Sequence, residues 1–385
     1  MQIIDEVKLS KELIRFPSVT PLDAGAIIFL SKKLKSLGFQ CKILEFKDKK
    51  SKPIKNLYAR LGNKTPNICY AGHTDVVPPG DYKNWSINPF KPIVKNNFLI
   101  GRGANDMKSS IACFVAAVSK YIKKNQKFNG SISFLITGDE EGEAINGTKK
   151  VVEYLIKKKE KINFCIVGEP TNPKRLGEMI KIGRRGSISG TLEIYGSQGH
   201  VAYPHLSNNP INSLISICEK LKKNKLDKGN KNFQPSNLEF TSIYVDNKAH
   251  NVIPSMAKTQ FNIRYNNLHS ATSLKKKINT VIKNICKKNK CKFKVIYKVS
   301  GDAFLTKPEK VIFMAKRIIK KITRINPKFS TTGGTSDARF IRKISPCLEF
   351  GLVNKTMHKV DECVSVTDLK KLTKIYHAIL IEYFK

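Results

Sequence analysis

Histidines and carboxylates follow short apolar runs at five places in the chain. The segments are GHTD at 72–75, GRGANDMK at 101–108, GDEEG at 138–142, GEPT at 168–171 and MHKVDE at 357–362. Carboxylates that pack together repel and raise one another's pKa, and a divalent metal ion removes that repulsion. Two imidazoles with three carboxylates suit zinc, whose bonds to nitrogen and oxygen are about 2.0–2.2 Å long. Five ligands can serve two ions if one carboxylate bridges them about 3.5–4 Å apart, as in two-metal hydrolases.

Each of these residues also has a simpler interpretation when it is taken alone. The alternatives are a hydrogen-bonded pair for His73 and Asp75, a helix N-cap for Asp106, solvated carboxylates for Glu140 and Glu141, a loop carboxylate for Glu169 and a surface histidine for His358. The combination favours a metal site, because the groups recur at equivalent strand ends with a glycine nearby. In open α/β sheets, ligands bind at the carboxyl ends of the strands.

The elements that would position these groups alternate through the first half of the chain. Apolar runs predict buried strands and amphipathic or Ala-rich stretches predict helices, the strands at 67–71, 131–137 and 163–167 and the helices at 24–37, 109–123 and 147–158. Strands separated by helices imply a mainly parallel sheet that is covered on both faces.

The pattern changes near residue 185. Strands are predicted at 187–195, 238–245, 259–265 and 293–299, with helices at 210–222 and 273–288. This βαββαβ-like order indicates a small sheet with helices on one face. An α/β rhythm then returns, with a helix at 311–322, a strand at 347–350 and a last helix from Val366. We therefore expect a discontinuous catalytic domain formed by 1–184 and 298–385, with a second domain inserted at 185–297.

The composition of the 385-residue chain excludes several classes of protein. Hydrophobic residues make up 41%, too many for a disordered chain, and no apolar run approaches the ~18 residues of a membrane span. The start of the chain lacks the basic and apolar regions of a secretory signal. Nine cysteines, an odd number without a C-x-x-C pair, indicate a reducing compartment, so we expect a cytoplasmic protein with no membrane partner.

The net charge of +40 comes from 70 Lys and Arg residues against 30 Asp and Glu residues. Such a charge is typical of proteins that bind polyanions, including nucleic acids. The lysines are spread along the whole chain in short runs such as 157–159, and aromatic residues are not interleaved with them as a base-stacking surface requires. We therefore expect a charged surface and no nucleic-acid partner. The charge could also speed the encounter with an anionic small-molecule substrate.

Nine motifs together resemble the di-zinc aminoacylase and carboxypeptidase superfamily along the whole chain. They are GHTDVVPPGD, GRGANDMKSS, GDEEGEAINGT, GEPT, GRRGS, GSQGHVAYPH, NVIP, GGTSDARF and MHKVDE. GHTD and GDEEG occur throughout the superfamily, whereas GRRGS, GGTSDARF and MHKVDE resemble its desuccinylase branch. The resemblance implies an α/β fold, in which a catalytic domain with a mainly parallel sheet carries an inserted ferredoxin-like α+β domain that forms a homodimer.

The resemblance also implies two zinc ions per subunit and assigns their ligands. His73 and Glu169 would hold one ion, Glu141 and His358 would hold the other, and Asp106 would bridge both. Carboxylate-rich sites accept several divalent ions, so Co²⁺ or Mn²⁺ is also possible in one site. The family further implies a cis peptide bond after the bridging residue, between Asp106 and Met107.

Three further residues would act in catalysis by the same resemblance. Asp75 would accept a hydrogen bond from the second nitrogen of His73 and fix its tautomer. Glu140 would be the general acid and base, adjoining a metal ligand without binding metal itself. His200, with Tyr203 close by, would reach the active site of the partner subunit and donate a hydrogen bond to the developing oxyanion.

The implied reaction is the hydrolysis of N-succinyl-LL-2,6-diaminopimelate to succinate and LL-2,6-diaminopimelate. Its carboxylates need fixed donors, and arginine offers a bidentate one. By resemblance the substrate-binding residues are Arg184, Tyr203, Asn251, Arg264, Gly334, Thr335 and Ser336. A deacetylase of the acetylornithine type or a dipeptidase would share the metal ligands, but an acetyl group has no carboxylate for these donors to hold. Three positions depart from the family pattern, namely Asn105, Ser109 and His250.

Overall fold

The computed structural model describes residues 3–49 and 51–385 of the protein, which form two compact units. Unit 1 contains the chain up to Ile182, together with Thr306–Ser330 and Ser336–Lys385. Unit 2 contains Gly183–Leu305 and Thr331–Thr335, and so includes the whole of the predicted insertion. The assignment of catalysis to one domain and dimerisation to the other stays a prediction.

The strands and helices are numbered in chain order. The strands are β1 (Gln40–Phe46), β2 (Ile54–Leu61), β3 (Asn67–His73), β4 (Ile93–Lys95), β5 (Phe98–Ile100), β6 (Ser131–Thr137), β7 (Phe164–Val167), β8 (Met179–Lys181), β9 (Gly183–Arg184), β10 (Gly186–Tyr195), β11 (Gly199–His200), β12 (Asn237–Tyr244), β13 (Val252–Ile253), β14 (Met256–Tyr265), β15 (Lys292–Gly301), β16 (Phe304–Leu305), β17 (Lys328–Ser330), β18 (Cys347–Glu349) and β19 (Cys363–Ser365). The α-helices are α1 (Glu6–Ile14), α2 (Ala26–Ser36), α3 (Lys108–Lys124), α4 (Thr148–Lys157), α5 (Pro210–Lys223), α6 (Ala271–Lys288), α7 (Lys310–Thr323), α8 (Ala338–Ile341) and α9 (Val366–Tyr383).

Unit 1 is built on an eight-stranded sheet with the order β1-β2-β6-β3-β7-β18-β8-β17. Neighbours from β6 to β18 run parallel, and so do β8 and β17. β1 and β2 add an antiparallel edge beside β6, and β18 meets β8 in the antiparallel sense. The sheet is therefore largely parallel, as the alternation of strands and helices predicts. The sequence pattern missed β1 and β2, because charged side chains interrupt their apolar runs.

α3 is the most buried helix of unit 1. Its residues are buried on every side from Lys108 to Ser119, and α1 and α9 pack against it. A helix that is buried all round belongs to the core rather than to the surface. The first turn of α3 follows Asp106 and Met107 directly, so the packing of this helix fixes the place of one candidate ligand. Within the described residues, no helix is both long and apolar enough to span a membrane.

Unit 2 contains a four-stranded antiparallel sheet with the order β12-β14-β10-β15. Side chains of β10 alternate between buried and more exposed positions, and the buried set includes Ile188, Leu192 and Ile194. These residues form one core with apolar side chains of α5 and α6, such as Ile217 and Ile282. Both helices therefore cover the same face of the sheet, which is the predicted ferredoxin-like arrangement.

Candidate metal centre

Four candidate residues lie where neighbouring parallel strands end. His73 is the last residue of β3, which lies between β6 and β7 in the sheet. Glu140 and Glu141 follow β6, and Glu169 follows β7. His73 pairs with Thr137, so the segment after β6 begins level with the imidazole. The groups therefore meet at one edge of the sheet, as the strand-end pattern predicts.

The carboxylate of Asp106 lies between the two histidines. Its Oδ1 is 3.1 Å from His73 Nε2, and its Oδ2 is 3.1 Å from His358 Nε2. His358 Nε2 is also 2.8 Å from Glu141 Oε1, and His73 Nε2 is 3.9 Å from Glu169 Oε1. Two atoms bound to one tetrahedral ion, each about 2.0–2.2 Å from it, lie about 3.3–3.6 Å apart. The four distances lie on both sides of this range, and one oxygen of Asp106 faces each histidine. The groups are therefore close enough to hold one ion near His73 and a second near His358 after small shifts of the side chains.

The charges of this cluster fit divalent cations. In the described part of the chain, no Lys or Arg forms an ion pair with Asp106 or Glu141. The imidazoles of His73 and His358 lie beside Asp106, and that of His358 also lies beside Glu141. Asp106 is buried, and buried carboxylates that share a site repel unless a cation lies between them. The donor set therefore suits a pair of bound metal ions. The peptide bond between Asp106 and Met107 is cis, as the resemblance implies.

Glu140 lies close to two of the predicted metal ligands. One atom each of His73, Glu140 and Glu169 lie within 4.8 Å of one another, the same limit that His73, Asp106 and Glu141 meet. Burial raises the pKa of Glu140 well above its usual value, and the charge of Glu169 raises it further. Replacement of Glu140 can distinguish a proton-transfer role from a ligand role. Only the loss of a metal ligand would lower the metal content of the protein.

In the metal-free protein, the imidazoles are the positive partners of these carboxylates. Hydrogen bonds to Asp106 and then Glu141 raise the pKa of His358 to about 10. Burial lowers the pKa of His73, but the hydrogen bond to Asp106 and the negative charges of Asp106, Asp75 and Glu169 together outweigh burial and raise that pKa well above its usual value. Burial likewise raises the pKa of Asp106, while the two histidines together lower it below its usual value. The His358 ring therefore carries a second proton at neutral pH.

Metal binding to the metal-free protein is expected to release protons and to weaken as the pH falls. A ring nitrogen must lose its proton before it coordinates, and His358, with a pKa of about 10, is protonated at pH 7. Raising the pH towards 10 removes this cost. Zn²⁺ titration calorimetry at pH 7, in buffers of different ionisation enthalpy, should show about one or more protons released per chain. A heat that does not depend on the buffer would contradict the ion pairs of the metal-free centre.

Asp75 acts on both His73 and the segment that carries Glu140. His73 Nδ1 is 2.9 Å from the main-chain oxygen of Asp75 and 3.6 Å from its Oδ1, so a carbonyl replaces the predicted carboxylate as acceptor. The carboxylate instead accepts the main-chain N–H groups of Glu140 and Glu141 at 3.2 and 2.9 Å. Burial raises the pKa of Asp75 to about 7. Asp75 therefore orients the ring through its main chain and holds the Glu140 segment through its side chain.

Two buried charged residues beside the centre, Arg102 and Glu362, were not predicted to have a role. Their side chains are 2% and 1% exposed, and Arg102 Nη1 lies 2.7 Å from Glu362 Oε2. Both residues stand inside motifs that the sequence singles out, GRGANDMK and MHKVDE. The sequence feature that could have pointed to Glu362 is the second carboxylate of MHKVDE. Its partner, Arg102, lies 260 residues away in the chain, and so distant a pair leaves no local sequence pattern.

The predicted substrate-binding arginines have different surroundings in unit 2. Arg184 Nη1 donates to the carbonyl of Gly334 at 3.2 Å and so braces the glycine-rich loop that also contains Thr335. Among the described residues, none accepts a hydrogen bond from the Arg264 guanidinium. Burial lowers the pKa of Arg264, and the charge of Arg185 lowers it further. A cation in this position suits a carboxylate ligand.

The hydroxyl of Ser336 is already engaged within unit 1. It donates to Glu349 Oε1 at 2.8 Å, and both side chains are buried. A role of the Ser336 side chain in substrate binding therefore has to share this hydroxyl with Glu349. The role stays a prediction.

His200, Tyr203 and Asn251 lie in exposed parts of unit 2. The main-chain N–H of Ala202 donates to His200 Nδ1 at 3.1 Å, so this hydrogen bond assigns the proton of the neutral ring to Nε2. The ring centroids of His200 and Tyr203 are 5.8 Å apart, and the carbonyl of Asn251 accepts from Val201. An exposed Nε2–H donor is what the predicted role of His200 requires.

The three departures from the family pattern have different surroundings. Asn105 donates through Nδ2 to the carbonyl of Val353, which ties its segment to the chain that precedes His358. The hydroxyl of Ser109 is buried in α3 without a hydrogen-bond partner among the described residues, and nothing in the structure explains it. His250 is exposed in unit 2, and nothing there explains the change either.

Comparison with known proteins places the chain beside a group of amide-cleaving enzymes. It is 66% identical over 384 residues to the succinyl-diaminopimelate desuccinylase of Pelagibacter ubique (strain HTCC1062), with 100% of both chains covered. It is 51% identical over 382 residues to the protein of the same name from Ehrlichia canis (strain Jake), with 99% of both covered.

Solved structures with low sequence identity share the fold. Aminopeptidase PepT from Bacillus cereus ATCC 10987 matches with a TM-score of 0.79 at 19% identity, covering 100% of both chains. The M20 family metallo-carboxypeptidase Sso-CP2 from Sulfolobus solfataricus matches with a TM-score of 0.77 at 18% identity, covering 99% of both. A family model for peptidase family M20/M25/M40 matches residues 69–382. With the full-length relatives, this match shows that the chain belongs to peptidase family M20/M25/M40.

Proposed function

We propose that this protein is a metal-dependent amide hydrolase that converts N-succinyl-LL-2,6-diaminopimelate and water into succinate and LL-2,6-diaminopimelate. The observation that carries the proposal is the carboxylate of Asp106, whose two oxygens face His73 and His358 at 3.1 Å each. The identity to full-length relatives named succinyl-diaminopimelate desuccinylase supports the substrate. The product would serve the biosynthesis of lysine and cell-wall precursors.

Two zinc ions would complete the centre. His73 and Glu169 would hold one, Glu141 and His358 the other, and Asp106 both, with Co²⁺ or Mn²⁺ as alternatives in one site. When bound, the pair of ions lowers the pKa of water and polarises the amide carbonyl. The protein's own contribution is to hold the five donor side chains at this spacing before any ion arrives.

Glu140 would move the proton in this reaction. Its pKa is raised by burial and by the charge of Glu169, and a carboxylate with a raised pKa can both accept and return a proton near neutral pH. Glu140 would take a proton from the attacking water and deliver it to the leaving amine. The carboxylate of Asp75 would keep the segment in place, since it accepts the main-chain N–H of Glu140.

One experiment tests the reaction and its substrate together. The chelator-treated protein, with Zn²⁺ added back, is assayed on N-succinyl-LL-2,6-diaminopimelate and on N-acetylornithine. Zinc-dependent cleavage of the succinyl substrate is the expected result, because an acetyl group offers no carboxylate to the arginines. Preference for N-acetylornithine would overturn the proposed substrate and keep the metal centre. Cleavage of neither compound would overturn both the proposed reaction and the proposed substrate.

Arg264→Ala is expected to raise KM for the succinylated substrate about 10–100-fold, with a smaller change in kcat. A hydrogen bond between two charged groups contributes about 1.5–3 kcal/mol, which corresponds to this factor. Lys258→Ala is the matched control, because Lys258 lies on the same strand, β14, and its loss also removes one positive charge. Steady-state kinetics on both variants decide the question, and equal KM values would remove Arg264 from the substrate site.

We further propose a homodimer in which His200 serves the partner's active site. Exposed apolar side chains at the β12 edge and on α5, namely Ile243, Tyr244 and Ile215, support an interface on unit 2, since they are 64%, 55% and 59% exposed. His200→Ala is expected to lower kcat about 10²–10³-fold, which is the typical effect of removing an oxyanion donor.

Analytical ultracentrifugation would give the mass of the protein in solution, and twice the mass of one chain is expected.

Complementation would place His200. Co-expressed Glu140→Gln and His200→Ala chains should form heterodimers in which one site has both groups. Activity above that of either parent is expected. Inactive heterodimers would show that His200 does not act across the interface.

A cytoplasmic location is also proposed. All nine cysteines are free thiols, and reducing compartments keep thiols in this state. Fractionation of cells that express the tagged full chain would test the location.

A further inference from the structure

The carboxylate of Glu362 receives four hydrogen bonds from the segment that carries Asp106. Arg102 Nη1 and the main-chain N–H of Gly103 donate to Oε2 at 2.7 and 3.0 Å. The main-chain N–H groups of Asn105 and Asp106 donate to Oε1 at 2.6 and 2.9 Å. One side chain therefore fixes the main-chain path of residues 102–106 immediately before the cis peptide bond. That path sets the direction in which the Asp106 carboxylate points.

The same glutamate belongs to the segment that carries His358. Arg102 Nη1 also donates to the carbonyl of Lys359 at 3.2 Å, and the N–H of Gly101 donates to the carbonyl of Glu362 at 2.9 Å. Beyond Glu362 the two segments continue side by side, because β19 pairs with β5. Asp106 and His358 are 252 residues apart in the chain, yet side-chain and main-chain bonds join the segments around them.

Arg102 makes the burial of this carboxylate possible. Its guanidinium lies 5.1 Å from the ring centroid of Trp85, and Nη2 donates to the carbonyl of Pro78 at 3.4 Å. A buried carboxylate without a cation would be costly, whereas a paired and hydrogen-bonded one can persist. The pair is thus a fixed support within unit 1 rather than a mobile surface contact.

We propose that Glu362 is a positioning residue of the metal centre, which sets the spacing between the Asp106 carboxylate and the His358 ring. It thereby determines the affinity for the ion that these two residues hold together. The inference rests on the dinuclear site proposed above and adds a residue outside its ligand set. Outer partners of metal ligands typically change metal affinity by about 10–100-fold when they are replaced.

Glu362→Gln tests the proposal on the full-length protein. Glutamine keeps the size of the side chain but replaces one acceptor oxygen with an N–H₂ group that faces N–H donors. In Zn²⁺ titrations of the metal-free variant, we expect one of the two dissociation constants to rise about 10–100-fold. The d–d absorption spectrum of the Co²⁺-loaded variant should also differ from that of the wild type, since the spectrum reports ligand geometry.

Glu160→Gln is the matched control. Glu160 forms another Arg–Glu pair of unit 1, with Arg60, outside the candidate centre. Its loss should lower the melting temperature and leave both zinc affinities and the Co²⁺ spectrum unchanged. Glu362→Asp keeps the charge with a shorter reach, so an affinity between those of wild type and Glu362→Gln is expected. If Glu362→Gln does not fold by circular dichroism, the titration of Glu362→Asp decides.

The possible outcomes separate this inference from the proposed function. A wild-type protein that binds two Zn²⁺ ions, together with folded Glu362 variants of unchanged affinity and spectrum, would overturn the inference alone. The same losses in Glu160→Gln would overturn it too, because they would report general stability. A wild-type protein that binds fewer than two ions would overturn the dinuclear site and the inference with it.

Discussion

Glu140→Gln is expected to remove most of the activity while the protein keeps both metal ions. Glutamine cannot accept a proton from water, and general acid–base catalysis typically contributes about 10²–10⁴-fold, so kcat should fall by this factor. KM should change little, because the substrate carboxylates are assigned to other residues. The measurements are kcat on N-succinyl-LL-2,6-diaminopimelate and zinc content by mass spectrometry of the dialysed protein.

Glu143→Gln is the control for this variant. Glu143 is an exposed carboxylate three residues further along the same segment, and its replacement should leave kcat within about twofold. The metal content of the Glu140→Gln variant is informative, because one ligand atom each of Glu140, His73 and Glu169 lie within 4.8 Å of one another. If Glu140→Gln lost one zinc ion as well as its activity, Glu140 would be a ligand and the proton-transfer role would be wrong.

Asp106→Asn should lose at least one zinc ion and nearly all activity. The two oxygens of Asp106 face different histidines, and asparagine offers one oxygen and one N–H₂ group, so it cannot serve both ions. Bound ions contribute several kcal/mol to transition-state stabilisation, and kcat/KM should therefore fall at least about 10³-fold. Zinc content and kinetics at saturating Zn²⁺ are the measurements.

Asp227→Asn gives this variant a matched control in unit 2. Asp227 is also a shielded carboxylate beside an imidazole, with its Oδ2 3.0 Å from His269 Nε2 and both side chains 7% exposed. Its replacement should lower the free energy of unfolding by about 1–3 kcal/mol and leave the zinc content at two ions. Two ions retained in Asp106→Asn, with near-normal activity, would show that this carboxylate does not bridge.

The sequence predicts well both the elements buried on all sides and those whose apolar residues recur with a clear period, such as β10, α5 and α6. β3, β6 and β7 consist mainly of apolar residues and are buried along nearly their whole length, and α3 is rich in apolar residues because it lies in the core. The missed strands β1 and β2 carry lysines, a glutamate and an arginine at partly exposed positions. Hydrophobic periodicity reflects burial, so strands with a solvent-exposed face and charged residues give a weaker hydrophobic pattern.

The candidate site was predictable to the extent that strand ends place its residues. His73, Glu141 and Glu169 follow from the parallel order of three strands. His358 follows less directly, since it lies in a loop well beyond β18 with a left-handed φ of 62°, so the end of that strand alone does not fix its position. The pairing of Glu362 with Arg102 and the carbonyl contact of Asp75 depend on three-dimensional proximity and local main-chain geometry. Neither leaves a pattern of residue types along the chain.

The order of strands in the unit 1 sheet has a consequence for protein synthesis. β18 lies between β7 and β8, although a growing chain leaves the ribosome with β7 and β8 long before β18. Until then both strands have open edges, and such edges pair readily with other chains. While residues 182–346 are translated, these edges therefore expose the nascent protein to aggregation and to chaperones. A ribosome that stops before Cys347 releases a chain with a gap in the middle of its sheet and without His358.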